Sequence, residues 1–218
     1  MPPKRGLDPR GLVLVDKPAG PSSFAIVNRL RDRTGARAGH AGTLDPFATG
    51  LLLVLLGAFT KEAQRFVGLS KEYETVVDLG ATTTTGDPEG EIIEEHEPLT
   101  GEELPARVAA LRGEVDLRIP AASAVKIGGE RAYRLMRRGV EVEMPMRRTS
   151  VHELDVLDYD GRIVRLRAHV GSGAYVRALA EALGGHCVEL RRTRVGPFDV
   201  DDADEDRVIP PDEALAAL

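Results

Sequence analysis

The sequence predicts an α+β fold in which strands and helices follow one another in irregular order. Strand-like runs and helix-like runs alternate unevenly, with no recurring strand–helix–strand rhythm of the kind that gives a doubly wound sheet. Asp160-Gly161 joins two strand-like runs as a tight hairpin. With 218 residues, 42% of them hydrophobic, the chain can close one main core.

Gly11 to Asp16 (GLVLVD) reads as a short buried strand. Ser22-Ser23 then offers an N-cap to a helix with Phe24, Val27 and Leu30 on one face, which Thr34-Gly35 ends. A Gly-rich loop, Ala38 to Pro46, leads into the apolar run Gly50 to Leu56, which suits a central strand. Thr60 to Leu69 reads as a short helix. Glu72 to Leu79 alternates as a strand, with Tyr73, Thr75, Val77 and Leu79 on one face. Ala81 to Gly90 (ATTTTGDPEG) reads as a turn-rich linker, and Thr100 with Glu103 resembles a capping box before a helix ending near Arg112-Gly113.

Residues 119–148 show little regular pattern beyond a Gly128-Gly129 hairpin signal and an Arg-rich helix at Ala132 to Arg138, and they read as an inserted, mobile excursion. Val151 to Leu157 and Ile163 to Val170 are the strands that Asp160-Gly161 joins. Gly171-Ser172-Gly173 opens a helix from Ala174 to Leu183, stopped by Gly184-Gly185. Val188 to Val195 is a last strand and Asp212 to Leu218 a terminal helix. Residues 1–200 are thus expected to form the main domain, and 201–218 an acidic linker with a short helix.

The net charge of −6 is unevenly spread. Residues 199–218 hold eight acids against Arg207, so that of 29 bases and 35 acids in all, the other 198 residues balance 28 bases against 27 acids. Basic residues cluster at Lys126, Arg131, Arg134, Arg137, Arg138, Arg147 and Arg148, and again at Arg191, Arg192 and Arg194. Such clusters can follow a phosphate backbone, or can be a solvated surface with helix ion pairs. The lone Cys187 excludes an intramolecular disulfide and reads as a small buried hydrophobe, and the five histidines show no metal-ligand spacing. Met1 to Arg10 is basic and Pro-rich with no apolar signal core, and no apolar run reaches about 18 residues. A soluble, cytoplasmic protein without membrane contact is expected.

By residue type alone, Asp45 is a carboxylate at the edge of the core or a structural Asp-Pro turn. His40 reads equally as a loop residue, Tyr73 as a core aromatic, and Gly171 to Gly173 as one of many glycine loops able to approach a phosphate.

A longer pattern narrows these choices. Twelve consecutive residues, Gly39-His40-Ala41-Gly42-Thr43-Leu44-Asp45-Pro46-Phe47-Ala48-Thr49-Gly50, resemble the catalytic motif of TruB-type pseudouridine synthases. Val15-Asp16-Lys17-Pro18 with Gly20 and Ser22-Ser23 resembles that family too, as does Lys71-Glu72-Tyr73. Ser123-Ala124 with Lys126 and Arg131-Ala132-Tyr133 follows in the same order, then Gly173-Ala174-Tyr175-Val176-Arg177 and Leu190-Arg191-Arg192. The likeness runs from residue 11 to about residue 200. Ala41 and Ala174 stand where many relatives have Thr, Phe47 where Leu is usual, and Ala121-Ala122 where a second proline is typical.

The resemblance implies a pseudouridine synthase fold: a mixed, largely antiparallel sheet flanked by helices and loops, with an inserted segment that clamps RNA. It implies an isomerase that detaches a uracil from its sugar, turns it and rejoins it through carbon. Asp45 matches the family nucleophile and Arg177 the arginine that pairs with it. Tyr73 matches a tyrosine that stacks on the base and is proposed to take a sugar proton. Tyr175 and Leu190 match walls of the uracil pocket, and Lys17 a lysine near the active site. His40 matches the residue that fills the gap left by the everted nucleotide, and the excursion carrying Lys126 and Arg131 matches a segment that closes over the RNA. The implied partner is the T-stem-loop of tRNA, modified at position 55 by a monomer that needs no protein partner, no metal and no cofactor. Relatives usually continue into a small C-terminal RNA-binding domain, so this chain is expected to be a short form. Two other activities stay open at this point, a tRNA-folding chaperone and the catalytic subunit of a guide-RNA-dependent synthase.

Overall fold

The structure, a computed structural model, describes residues 9–218; most of the basic run from Met1 to Arg10 therefore lies outside the described residues. Along the chain the elements are β1 (Gly11–Lys17), α1 (Ser23–Thr34), β2 (Ala38–His40), β3 (Thr49–Leu56), a 3-10 turn and α2 (Ala63–Val67), β4 (Lys71–Asp78), β5 (Ala81–Thr83) and β6 (Ile92–Glu95). Next come α3 (Leu104–Ala110), β7 (Gly113–Arg118), β8 (Lys126–Ile127), β9 (Glu130–Arg131), α4 (Ala132–Arg137), β10 (Met146–Tyr159) and β11 (Ile163–Val170). Last are α5 (Val176–Ala182), β12 (His186–Val195), β13 (Phe198–Asp199), β14 (Asp204–Ile209) and α6 (Pro211–Ala216). The chain forms two compact units, one of the residues up to Tyr73 with Leu190–Leu218, the other of Glu74–Glu189.

In the first unit the strands lie in the order β14-β1-β3-β12, with β2 on β3 and β13 on β12. Every pairing here is antiparallel except that of β3 with β12, where Arg192 stands opposite Gly50. That close approach requires a glycine: Gly50 has φ of 100°, and a Cβ on it would meet the Arg192 carbonyl oxygen at 2.2 Å. The core joins Leu12, Leu14, Leu51, Leu53 and Leu55 of the sheet to Phe59, Phe66, Phe198 and Ala214.

Helix α1 starts where the Ser22 hydroxyl accepts the Ala25 N–H and stops at Gly35, in the left-handed region at φ 70°. Its buried face is Ser23, Ile26, Val27 and Leu30, while Phe24 is 65% exposed. The sequence reading of Phe24 on the core face is therefore corrected. Positions 23, 26, 27 and 30 form the apolar stripe, and the small Ser23 belongs to it because its hydroxyl is hydrogen-bonded.

Two further expectations change in this unit. Ala38–His40, read as loop, is a strand because Gly39 and His40 pair with Leu55 and Val54. Asp204–Ile209, read as acidic linker, is a strand on β1, and its acids meet α1: Glu205 takes Arg29 and Asp206 takes Arg33.

In the second unit β4-β11-β10-β7 stand in that order, and β10–β11 turns at Asp160, whose carboxylate accepts the N–H groups of Arg162 and Ile163. Asp160-Gly161 thus makes the hairpin that the sequence predicts, Gly161 at φ 102°. Thr100 and Glu103 exchange capping bonds, Thr100 N–H to Oε2 at 2.9 Å and Glu103 N–H to Oγ1 at 3.3 Å. Strand β10 begins five residues before the expected Val151, paired over Met146 to Val151 with β7, which the sequence did not reveal. Residues 119–148 are more regular than expected: β8 and β9 form a hairpin over Gly128-Gly129, α4 follows, and Ile119, Ala132 and Met144 make a small core of their own.

Candidate active site

Asp45 sits on an irregular stretch between β2 and β3 whose backbone is tied at nearly every residue. Ala41 N–H donates to Leu53, drawing the stretch onto the sheet. Arg192 donates to the carbonyls of Gly42 and Thr43 at 3.2 and 3.4 Å. The Ser23 hydroxyl both accepts the Leu44 N–H and donates to the Leu44 carbonyl, each at 2.8 Å. The Pro46 carbonyl accepts from Lys17 Nζ at 3.1 Å and from Gly20 N–H at 2.8 Å, and Ala48 N–H donates to Asp45 O. Asp45 is thus carried on a fixed frame and, as a residue, is partly exposed.

Lys17 is fully buried, its ammonium also held by the carbonyls of Pro18 and Pro21. It ties the turn after β1 to the residue following Asp45, which gives its place near Asp45 a structural reason. His40 ends β2, half-buried, with Nδ1 shut from solvent and without a hydrogen-bond partner among the described residues. Burial, and then the nearby Arg192 guanidinium, hold its pKa below the ordinary histidine value, so the ring is neutral at physiological pH. Tyr73 is 8% exposed on β4, and Leu190 is buried on β12, both in the unit that holds Asp45.

The second unit holds the other candidates. Tyr175 and Arg177 flank the start of α5. The Arg147 guanidinium lies 5.8 Å from the Tyr175 ring centre, and Tyr175 packs on the small core of residues 119–148. Lys126 and Arg131 face each other on the exposed β8–β9 hairpin, where Arg131 donates to the Ala124 carbonyl at 2.8 Å.

Arg177 is 2% exposed. It donates to the carbonyls of Thr85 and Ala122 at 2.5 and 2.8 Å and lies 3.4 Å from the buried carboxylate of Asp87. Asp87 in turn accepts from the Thr85 hydroxyl at 2.5 Å and from Glu89 N–H at 3.0 Å. The Ala81 to Gly90 stretch, read as a linker, is therefore a buried polar turn that grips Arg177. Burial pushes the neighbouring Glu181 carboxyl above the usual range, against the pull of Arg177. Sequence reading missed Asp87 and the anchoring roles of Ser23 and Arg192. The signal for Asp87 was present in the threonine run before Gly86-Asp87-Pro88, which supplies hydroxyl donors around an acid in a turn. Among the described residues no three His, Cys, Asp or Glu side chains gather as metal ligands, and no helix is long and apolar enough to cross a membrane.

The fold has known counterparts. A solved pseudouridylate synthase shares the fold at TM-score 0.50 and 16% identity, over 97% of this chain and 75% of that one. A chain of a solved Cbf5–Nop10–Gar1 complex matches at TM-score 0.67 and 30% identity, over 88% of this chain and 50% of that one. The fold is that of the pseudouridine synthases.

Within that class, residues 30–176 match the TruB family pseudouridylate synthase N-terminal domain, and the chain belongs to the TruB family. A tRNA pseudouridine synthase B of Mycobacterium sp. (strain KMS) is 46% identical over 207 residues, covering 88% of this chain and 69% of that protein. The chain spans about half the length of the Cbf5-complex chain that it matches.

Proposed function

We propose that the chain converts uridine to pseudouridine in the T-loop of tRNA, at position 55, with Asp45 as the nucleophile. Membership of the TruB family and 46% identity to a tRNA pseudouridine synthase B support the reaction and the substrate. The observation that carries the role of Asp45 is its frame: a partly exposed aspartate on a stretch tied down by Lys17, Ser23 and Arg192. A nucleophile held in this way needs little reorganisation before attack.

The reaction breaks the bond between the sugar C1′ and N1 of the base, turns the base and joins C1′ to C5; C5 gives up its proton and N1 takes one up, so that the product is an isomer of uridine. A carboxylate suits it because it can add and later leave, splitting one hard step into two. In this reading Arg177 supplies the cation that keeps Asp45 ionised, on the strength of the motif each belongs to. Tyr73 stacks on the uracil, and Leu190 and Tyr175 wall its pocket. His40, neutral and half-buried, fills the space the everted nucleotide leaves, and an imidazole can stack there without a fixed hydrogen-bond partner. Lys126 and Arg131 belong to the segment that closes over the RNA, and Lys17 holds the turn beside Asp45.

Asp45→Asn tests this reading: single-turnover conversion of a T-stem-loop transcript is expected to vanish while RNA binding persists. An unchanged product yield would remove Asp45 as nucleophile. Likeness to a chain solved with Nop10 and Gar1 favours one other reading, a catalytic subunit that works only in an assembly. Turnover of an unmodified tRNA transcript by the purified chain alone decides against it.

A further inference from the structure

Arg192 is 1% exposed, and its described contacts are carbonyl oxygens with no carboxylate among them. Nε donates to Leu51 of β3 at 2.7 Å, while Nη2 and Nη1 donate to Gly42 and Thr43 at 3.2 and 3.4 Å. A buried guanidinium without a counter-charge is costly, and three carbonyl dipoles are what offset it here. The geometry of the planar fork adds something a flexible ammonium cannot. It fixes two successive carbonyls of the Asp45 stretch relative to one carbonyl of the strand that stretch runs into.

The backbone of Arg192 is itself fixed, since its register against Gly50 allows no side chain at that glycine. Gly42, at φ 102°, brings its Cα to the guanidinium: a Cβ there would lie 3.6 Å from Nη1. Lys17 and Ser23 hold Leu44 and Pro46, on either side of Asp45. Arg192 is what holds the preceding residues, 42 and 43.

We infer that Arg192 is a positioning residue for catalysis, setting the angle at which the Asp45 stretch leaves the sheet. The inference rests on Asp45 being the nucleophile. Arg192 lies under the stretch and acts through Gly42 and Thr43 rather than on the substrate. Its influence on neighbouring groups fits that place, for it lowers the pKa of both His40 and Lys71, in each case after burial.

The test compares Arg192→Lys, which keeps the charge but not the fork, with Arg192→Gln, which keeps neither, on the full chain and a T-stem-loop transcript. Both variants are expected to lose kcat about 100-fold, the scale of a misplacement near 1 Å, while KM and RNA affinity hold. The His40 imidazole, followed by NMR, should titrate higher in Arg192→Gln and unchanged in Arg192→Lys, which separates the charge from the fork. A wild-type kcat in Arg192→Lys overturns the inference. So does loss of RNA binding or of a normal melting temperature in both variants, because Arg192 then only holds the unit together. Asp45→Asn runs beside them: if it is inactive, failure removes the positioning role alone, and if it turns over, the nucleophile assignment falls and this inference with it.

Discussion

Arg177 and Asp87 face each other at 3.4 Å with both side chains shut away from water. Ion pairs on a surface contribute little, but removing one member of a buried pair leaves the other charge without compensation in a poor solvent for it. Asp87 also receives the Thr85 hydroxyl and the Glu89 N–H, so its loss strips a donor network as well as an anion. Asp87→Ala is expected to lower the unfolding free energy by about 3 kcal/mol in urea titration. Asp87→Asn, which keeps an oxygen for both donors, should cost less. Equal stability of Asp87→Ala and wild type would mean that the pair offers no net stabilisation.

Lys71 gives a prediction in pH. Its side chain is buried, with Nζ donating to Val67 O at 2.6 Å and also to Leu69 O. Burial first, and then the Arg192 guanidinium, lower its pKa from 10.5 to about 8. Between those values the unfolded chain binds more protons than the folded one, so the contribution of Lys71 to stability rises with pH across that window. Below about 8 the amine is charged in both states and adds no slope. The unfolding free energy of wild type minus that of Lys71→Met should therefore climb from pH 8 to pH 10 and be level below. A difference that stays level from pH 8 to pH 10 would show that the amine keeps its ordinary pKa in the folded chain.

What the sequence disclosed divides along the range of the interactions involved. The Asp160-Gly161 hairpin, the Ser22 cap and the Thr100–Glu103 box are set by residues within a few positions of one another, and each stands as read. Ala38–His40, Asp204–Ile209 and β7 are strands because of partners far along the chain, which no local pattern announces. The same holds at the candidate site. Asp45, Lys17 and Tyr73 were visible as members of motifs, but the hold of Ser23 on Leu44 crosses 21 residues and that of Arg192 on Gly42 crosses 150. Phe24 was misplaced because an aromatic outweighs a serine in any count of apolar positions, whereas burial here followed the hydroxyl's bond to Leu44.

The last prediction concerns the exposed cations of the β8–β9 hairpin and α4. Glu130 already pairs with Arg138 at 2.8 Å, and Arg134 and Arg137 flank the Tyr133 ring at 5.9 and 5.8 Å. Lys126 and Arg137 are exposed, so their charge is available to a polyanion. Each phosphate such a group neutralises releases counterions, giving a slope of about 0.7 to 0.9 in log affinity against log salt. The double variant Lys126→Gln, Arg137→Gln should then bind a T-stem-loop less tightly at low salt and reduce that slope by about 1.5, with the melting temperature unchanged. Both positions lie on exposed surface outside the small core of Ile119, Ala132 and Met144, so charge is what the substitutions remove. A slope equal to that of wild type would mean that this face of residues 119–148 does not meet the RNA backbone, whatever the rest of the chain does.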